Sequence, residues 1–174
     1  MNKIYNLKTM GFKIPWSLIY IGLFGDDEIS PVVTRADLIE YLDGLLVKIS
    51  AQTDDAIALF CAKDNFEKFD SILKKLANDD KSDRVIQKRK WRALLLKTTI
   101  ENITKDYLQG MLELMDFWVS MGEPEDCPHI FPDIHKGDSL QKYFTRESYE
   151  LNINKNQEWL EKEIISIIST ENQT

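Results

Sequence analysis

Four side chains that bind metals or act as nucleophiles lie within nine residues of one another. They are Cys127, His129, Asp133 and His135. Thiolate, imidazole and carboxylate groups are ligands of zinc, so residues 127–135 are a candidate metal site. The spacing lacks the two pairs of ligands, each two to four residues apart, that common zinc sites show. The alternative is a surface loop stiffened by prolines and pinned to the helices by Phe131 and Ile134.

The same segment offers a thiol beside an imidazole, which is the pairing that cysteine nucleophiles use. No nucleophile motif surrounds Cys127. The sequence also contains no phosphate-binding glycine loop and no Gly-X-Ser-X-Gly motif. We therefore expect a protein that is not an enzyme and needs no cofactor, with metal binding by residues 127–135 as the alternative function.

Charge is distributed unevenly along the 174 residues, whose formal net charge is −7. Residues 74–92 hold eight basic and three acidic side chains, beside the aromatic Trp91. A basic stretch with an aromatic residue is typical of nucleic-acid binding. An acidic chain, however, repels phosphate at long range, and phosphate binding favours a net basic domain. A nucleic-acid partner is therefore the less favoured interpretation.

Two short acidic clusters lie in loops between the apolar segments. Clusters of carboxylates can steer a basic protein into contact and raise its association rate. The alternative is that they only keep the protein soluble. We predict that the following residues bind a basic protein partner: Asp26, Asp27, Glu28, Glu123, Glu125 and Asp126.

The elements that must position these residues are helices. Between residues 91 and 121, apolar side chains recur at every third or fourth position: Leu96, Ile100, Ile103, Tyr107, Met111, Leu114, Trp118 and Met121. This period indicates an amphipathic helix that packs on a core. We predict one long central helix over about 83–121. A kink or split between Thr98 and Asp106 is the alternative, because the threonines there and Gly110 are weak helix formers.

Shorter helices are predicted on both sides of the central one. Pro15 suits the first turn of a helix over 15–23, and Thr34 with Asp37 forms a capping-box pattern for the next. Further helices are predicted over 53–63, after a cap at Asp64, after a cap at 138 or 139, and over 154–169. Inward-facing Phe66 and a buried Cys61 are expected. Together these segments predict an all-α, compact single-domain bundle of six to eight helices over residues 1–174.

The cysteine content and the N-terminal region bear on the compartment. Two cysteines make no disulfide framework, which favours a reducing compartment. The apolar run 14–25 follows three lysines as a signal peptide would, but it lacks a small-residue cleavage pattern. It is also too short to span a bilayer. We expect a cytoplasmic protein with no membrane association.

The N-terminal quarter carries a family resemblance. The run from Phe12 to Gly22 (FKIPWSLIYIG), followed by an acidic loop and by DLIEYL at 37–42, resembles a family of small uncharacterised bacterial proteins. In size and acidity this family is similar to the immunity proteins of polymorphic-toxin systems, which bind and silence a toxin domain. The resemblance implies a role in protein–protein inhibition or assembly, and it assigns no functional residue.

Overall fold

The computed structural model describes residues 2–47, 53–132 and 140–173. Within these ranges the chain forms eight helices of seven or more residues, one helix of four, and no strand, which confirms the all-α prediction. The helices are α1 Lys3–Thr9, α2 Trp16–Phe24, α3 Arg35–Leu46, α4 Thr53–Cys61, α5 Phe66–Asp79, α6 Arg84–Asn102, α7 Tyr107–Ser120, α8 Leu140–Tyr143 and α9 Arg146–Gln173. None of the helices in the described ranges is both long enough and apolar enough to cross a bilayer.

The helices gather into two compact units. The first consists of Met1–Trp91 and Thr170–Thr174, and the second of Arg92–Ser169. Helices α6 and α9 therefore contribute residues to both units. The assignment of residues 1–174 to a single domain stays a prediction.

The first unit is built around α2, which is apolar on nearly every face. Its fully or almost fully buried apolar side chains are Leu18, Ile19, Ile21 and Leu23. Pro15 precedes the helix as its N-cap, and Gly25 follows it with φ 74°, a backbone conformation that favours glycine. In this unit α2 packs on α5, and α3 packs on α1 and α4.

Capping residues fix the starts of α3 and α5. The Thr34 hydroxyl accepts from the Asp37 backbone N–H at 3.2 Å, and the Asp37 carboxylate accepts from the Thr34 N–H at 2.7 Å, so the predicted capping box is confirmed. The cap of α5 is Asn65 rather than the predicted Asp64. Helix α5 therefore begins at Phe66. The Phe66 residue is 61% exposed, so the prediction that its side chain faces inward was wrong.

Two smaller expectations also differ from the structure. Cys61, the last residue of α4, is exposed, so its predicted burial was wrong. Helix α1 was not predicted, although Ile4 and Leu7 are fully buried. Asn2 caps this helix through its carboxamide oxygen and donates to the Asp37 carbonyl oxygen at 2.6 Å. A seven-residue helix is too short to show a clear period in the sequence.

The predicted helix over 83–121 is divided in two. Helix α6 ends at Asn102 and α7 begins at Tyr107, so the single continuous helix was wrong and the alternative split between Thr98 and Asp106 is confirmed. Asp106 caps α7 by accepting from the Gln109 N–H at 2.9 Å. This break also removes Tyr107 from the predicted buried stripe, since its side chain is 42% exposed.

The second unit is centred on α7 and α9. Met111, Leu114 and Trp118 of α7 are fully buried. The Trp118 indole N–H donates to Asn156 Oδ1 at 2.6 Å, which ties α7 to α9. Helix α9 is longer than the predicted 154–169 segment, because it begins at Arg146 and ends at Gln173.

Candidate functional site

The acidic loop of residues 26–28 follows α2 and surrounds one ammonium group. Lys88 Nζ lies 3.1 Å from Asp26 Oδ2, 2.8 Å from Asp27 Oδ1 and 2.8 Å from Glu28 Oε1. Hydrogen bonds from the ammonium lower the pKa of Asp27 and raise that of Lys88 well above its usual range. The structure thus brings the three predicted carboxylates together. Three negative charges around one positive charge leave the loop net negative.

Hydrogen bonds between the Asp26 side chain and backbone N–H groups stabilise the conformation of this loop. Asp26 Oδ1 accepts from the N–H groups of Glu28 at 2.9 Å and Ile29 at 2.8 Å, and the Ile29 side chain is buried. Asp26 is therefore a structural residue of the loop. The side chains of Asp27 and Glu28 are 80% and 60% exposed, so these two carboxylates are the ones available to a partner.

The acidic loop of residues 123–126 belongs to the second unit. Glu123 and Glu125 are exposed, and Glu123 has φ 48°, in the left-handed region that non-glycine residues rarely adopt. Asp126 Oδ2 lies 3.0 Å from Arg92 Nη2, and that arginine also stacks on the Trp159 ring. Asp126 is therefore partly neutralised, whereas Glu123 and Glu125 have no ion-pair partner within the described ranges.

Several cations of the basic stretch 74–92 are engaged inside the protein. Lys88 is held by the loop of residues 26–28, and Arg92 contacts Asp126 and Glu163. Lys90 is completely buried, with Nζ 2.5 Å from Glu171 Oε1. These cations are bound to carboxylates rather than presented to solvent, which weakens the case for a phosphate-binding surface beside Trp91.

The structure describes only part of the predicted metal site. Asp133 and His135 lie outside the described residues, so the set of four ligands stays a prediction. In the part of the chain that is described, no group of three or more His, Cys, Asp or Glu side chains is arranged to hold a metal ion. His129 Nε2 is already engaged, since it lies 2.7 Å from the Tyr143 hydroxyl. A metal would have to bind Nδ1 or displace that hydroxyl.

Burial determines the protonation states of His129 and Cys127. His129 is 5% exposed, and burial lowers its pKa to about 4, so the imidazole is neutral at pH 7. Burial raises the pKa of the Cys127 thiol, although a hydrogen bond from the His129 backbone opposes this effect. A protonated thiol is a poor nucleophile. Burial therefore disfavours an activated thiolate at Cys127.

Comparison of the sequence with known proteins gives a match to a protein family. A family model described as "Uncharacterized protein conserved in bacteria (DUF2247)" matches residues 4–164. No curated protein and no solved structure matches the chain. The matched range contains both acidic loops and the described part of the 127–135 segment.

Proposed function

This chain belongs to the bacterial family DUF2247, and we propose that it is a non-enzymatic cytoplasmic protein that binds and occludes a basic protein partner. An immunity or antitoxin-like inhibitor is the specific form of this proposal. A toxin that acts on a polyanionic substrate needs a cationic surface, and an acidic inhibitor that covers this surface blocks access to the substrate. The free thiols of Cys61 and Cys127 support a reducing compartment.

The observation that carries the proposal is the fixed acidic loop of residues 26–28. Lys88 and the loop backbone hold Asp27 and Glu28 in place while their side chains stay largely exposed. A preorganised surface loses less conformational entropy on binding than a flexible one. Exposed carboxylates also steer a basic partner toward the surface, so the expected signature is fast, salt-sensitive association.

Affinity capture from a lysate of the native bacterium tests this proposal. The full chain and the double variant Asp27→Lys/Glu28→Lys serve as baits, with Asp26 unchanged because it shapes the loop. The control variant is Glu158→Lys/Glu161→Lys, which makes the same charge change at exposed positions on α9. We expect a basic protein to bind the unmodified chain and the control in near-stoichiometric amount, and to bind the loop variant at least tenfold more weakly.

The captured protein is then purified and its binding kinetics are measured at increasing salt. We expect the association rate with the unmodified chain to fall steeply with salt, and the loop variant to show a smaller slope. If the partner has toxic or enzymatic activity, an equimolar amount of this chain must abolish it. Equal binding by the loop variant and the control, or an association rate independent of salt, would contradict the proposal.

A further inference from the structure

Three aromatic rings and one guanidinium group form a continuous row on the first unit. The centroids of the Tyr20 and Phe24 rings, both on α2, lie 4.8 Å apart. The Arg35 guanidinium of α3 lies 5.9 Å from the centroid of the Phe24 ring and 5.2 Å from that of the Phe66 ring on α5. These distances are within the range of cation–π contacts. We call Tyr20, Phe24, Arg35 and Phe66 the aromatic row.

The aromatic row is exposed to solvent at both of its phenylalanines. Phe66 is 61% exposed and Phe24 is 36% exposed, while Tyr20 and Arg35 are half-buried. Single exposed apolar side chains are common, but a contiguous set of them with polar groups at its edge is typical of a surface that contacts another molecule. Aromatic residues and arginine are also enriched in protein–protein interfaces, where a few such side chains supply most of the binding energy.

The centre of the aromatic row is fixed by an ion pair with Asp70. Arg35 Nε donates to Asp70 Oδ1 at 3.1 Å, and Arg35 Nη2 donates to Asp70 Oδ2 at 2.6 Å, which makes the pair bidentate. This geometry holds the guanidinium plane beside both phenyl rings, so the surface loses little conformational entropy when a partner binds. The Asp70 carboxylate also offsets the positive charge of Arg35, so the centre of the row does not repel a basic partner.

The charge beside the aromatic row differs between its two ends. Phe24 is the last residue of α2, and the acidic loop of residues 26–28 follows it after Gly25. The three carboxylates of this loop and the ammonium of Lys88 sum to a net charge of −2. Within three residues of Phe66 in sequence the charges balance, with two basic and two acidic side chains: Lys63, Asp64, Glu67 and Lys68. A complementary surface is therefore basic opposite Phe24 and apolar opposite Phe66.

We infer that the aromatic row anchors the basic partner, which packs an apolar side chain against Phe66 and Arg35. Lys or Arg side chains of the same partner lie between the Phe24 ring and the acidic loop, where both the ring face and the carboxylates attract a cation. Long-range attraction by the loop governs the association rate, whereas short-range packing on the row governs the dissociation rate. The inference rests on the proposed function, because the occupant is the basic partner.

Dissociation kinetics of the purified partner, obtained by affinity capture, test the inference. Phe66→Ala removes the most exposed ring of the row. We expect the dissociation rate to rise at least tenfold, while the association rate changes less than twofold and keeps its dependence on salt. Phe66→Tyr keeps the ring and should dissociate within threefold of the unmodified chain. The Asp27→Lys/Glu28→Lys variant should show the opposite pattern, with its main effect on the association rate.

Tyr107→Ala is the matched control. Tyr107 is the first residue of α7, as Phe66 is the first residue of α5, and it is 42% exposed, but it belongs to the second unit. We expect less than a twofold change in the dissociation rate for this variant. Thermal melting of Phe66→Ala and Tyr107→Ala shows that both variants are folded. Equal dissociation rates for the folded Phe66→Ala and Tyr107→Ala variants would overturn the inference.

Photo-crosslinking locates the contact independently of affinity. The variant Phe66→p-benzoylphenylalanine, irradiated with the purified partner, should give a one-to-one adduct. We expect mass spectrometry to place the crosslink on an apolar residue of the partner that has Lys or Arg within a few positions. The same substitution at Tyr107 should give no adduct. The absence of an adduct at position 66, or a crosslinked peptide without basic residues, would contradict the inference.

The two proposals fail in different ways. If a basic partner is captured and Phe66→Ala leaves its dissociation rate unchanged, the inference about the aromatic row is wrong while the protein-binding function stands. If the partner crosslinks to position 66 but associates at a rate independent of salt and of the Asp27→Lys/Glu28→Lys change, the row is a binding surface. In that case the proposed electrostatic capture of a basic partner is wrong.

Discussion

The indole ring of Trp91 lies directly against the backbone of Gly22 in α2. A Cβ atom added to Gly22 would lie 2.2 Å from Cζ2 of Trp91, closer than real Cβ atoms approach another heavy atom. The indole is held in place because it is completely buried and its N–H donates to the Leu18 carbonyl oxygen at 2.8 Å. Gly22 is therefore needed for close packing of α6 on α2 rather than for a turn.

We predict that Gly22→Ala destabilises the first unit. In an ordinary helix interior this change stabilises a protein by up to about 1 kcal/mol. Here the added methyl group overlaps the Trp91 ring, which is held by burial and by its hydrogen bond to Leu18. We therefore expect the free energy of unfolding to fall by about 1–3 kcal/mol. Urea unfolding followed by far-UV circular dichroism measures the change. In a Trp91→Phe background, where the ring is smaller, the same substitution should cost less.

Gly44→Ala is the control for this prediction. A Cβ at Gly44 would overlap the hydroxyl end of Tyr5, which is partly exposed and makes one long hydrogen bond, 3.4 Å to the Glu40 carbonyl oxygen. Because this side chain is not enclosed in the core as Trp91 is, we expect Gly44→Ala to cost less than Gly22→Ala. If both alanine variants change stability by the same amount and in the same direction, the close approach of Trp91 does not determine the effect.

A second prediction concerns the buried Lys90. Its Nζ lies 2.8 Å from the Lys13 carbonyl oxygen, 2.8 Å from Gln87 Oε1 and 2.5 Å from Glu171 Oε1. Lys90→Met keeps much of the side-chain volume but removes the ammonium group, so the buried Glu171 carboxylate loses its opposite charge while it keeps the hydrogen bond from the Lys13 N–H. We expect a loss of about 3 kcal/mol in the free energy of unfolding.

Glu171→Met tests whether that loss reflects the ion pair. In the double variant Lys90→Met/Glu171→Met no buried charge is left unpaired, so it should be more stable than Lys90→Met alone. Chemical denaturation of the four proteins gives the coupling free energy. If the losses in unfolding free energy of the two single variants add up to that of the double variant, the ion pair makes no specific contribution to stability.

The sequence predicted the helices that have clear local signals. Thr34 and Asp37 lie three residues apart and cap α3 as expected, because a capping box depends only on neighbouring residues. The break at 103–106 was harder to locate, since the apolar period continues through it. At this break the Asp106 cap and the hydrogen bonds from Thr104 to Glu113 stabilise the start of a new helix, although the apolar pattern is continuous.

The candidate sites depend on contacts that no local pattern reveals. The loop of residues 26–28 was recognisable from its composition, but Lys88 lies 60 residues away from Glu28 and was one of eight basic residues in its stretch. His129 was recognisable as chemically interesting, yet nothing in its spacing indicated that Tyr143 would occupy its Nε2. Sequence patterns therefore pointed to candidate residues, whereas the contacts that these residues make are set by tertiary packing.

A third prediction concerns the hydrogen bond between α7 and α9. Asn156 is completely buried, accepts from the Trp118 indole N–H at 2.6 Å and donates to the Asn152 carbonyl oxygen at 2.8 Å. Asn156→Ala would leave a buried donor unsatisfied and create a small cavity. We expect a loss of about 2–3 kcal/mol, measured by urea unfolding. Gln157→Ala, at the exposed neighbouring position, should change stability by less than about 0.5 kcal/mol.

The last prediction is a pH dependence that arises from His129. Burial lowers its pKa in the folded protein to about 4, whereas an unfolded histidine titrates near 6.5. Protonation therefore favours the unfolded state. The stability associated with neutral His129 is fully present above about pH 6.5 and is lost as the pH falls from there through about 4. The total loss is about 3 kcal/mol, by proton linkage.

Unfolding free energies measured from pH 7.5 to pH 4 for the unmodified chain and for His129→Gln test this effect. We expect the stability difference between them to shrink toward low pH, because only the unmodified chain must bury an imidazole that water would protonate. His135→Gln is measured in parallel, since His135 is the other histidine of the chain. Parallel pH curves for the unmodified chain and His129→Gln would show that His129 is not buried in its neutral form.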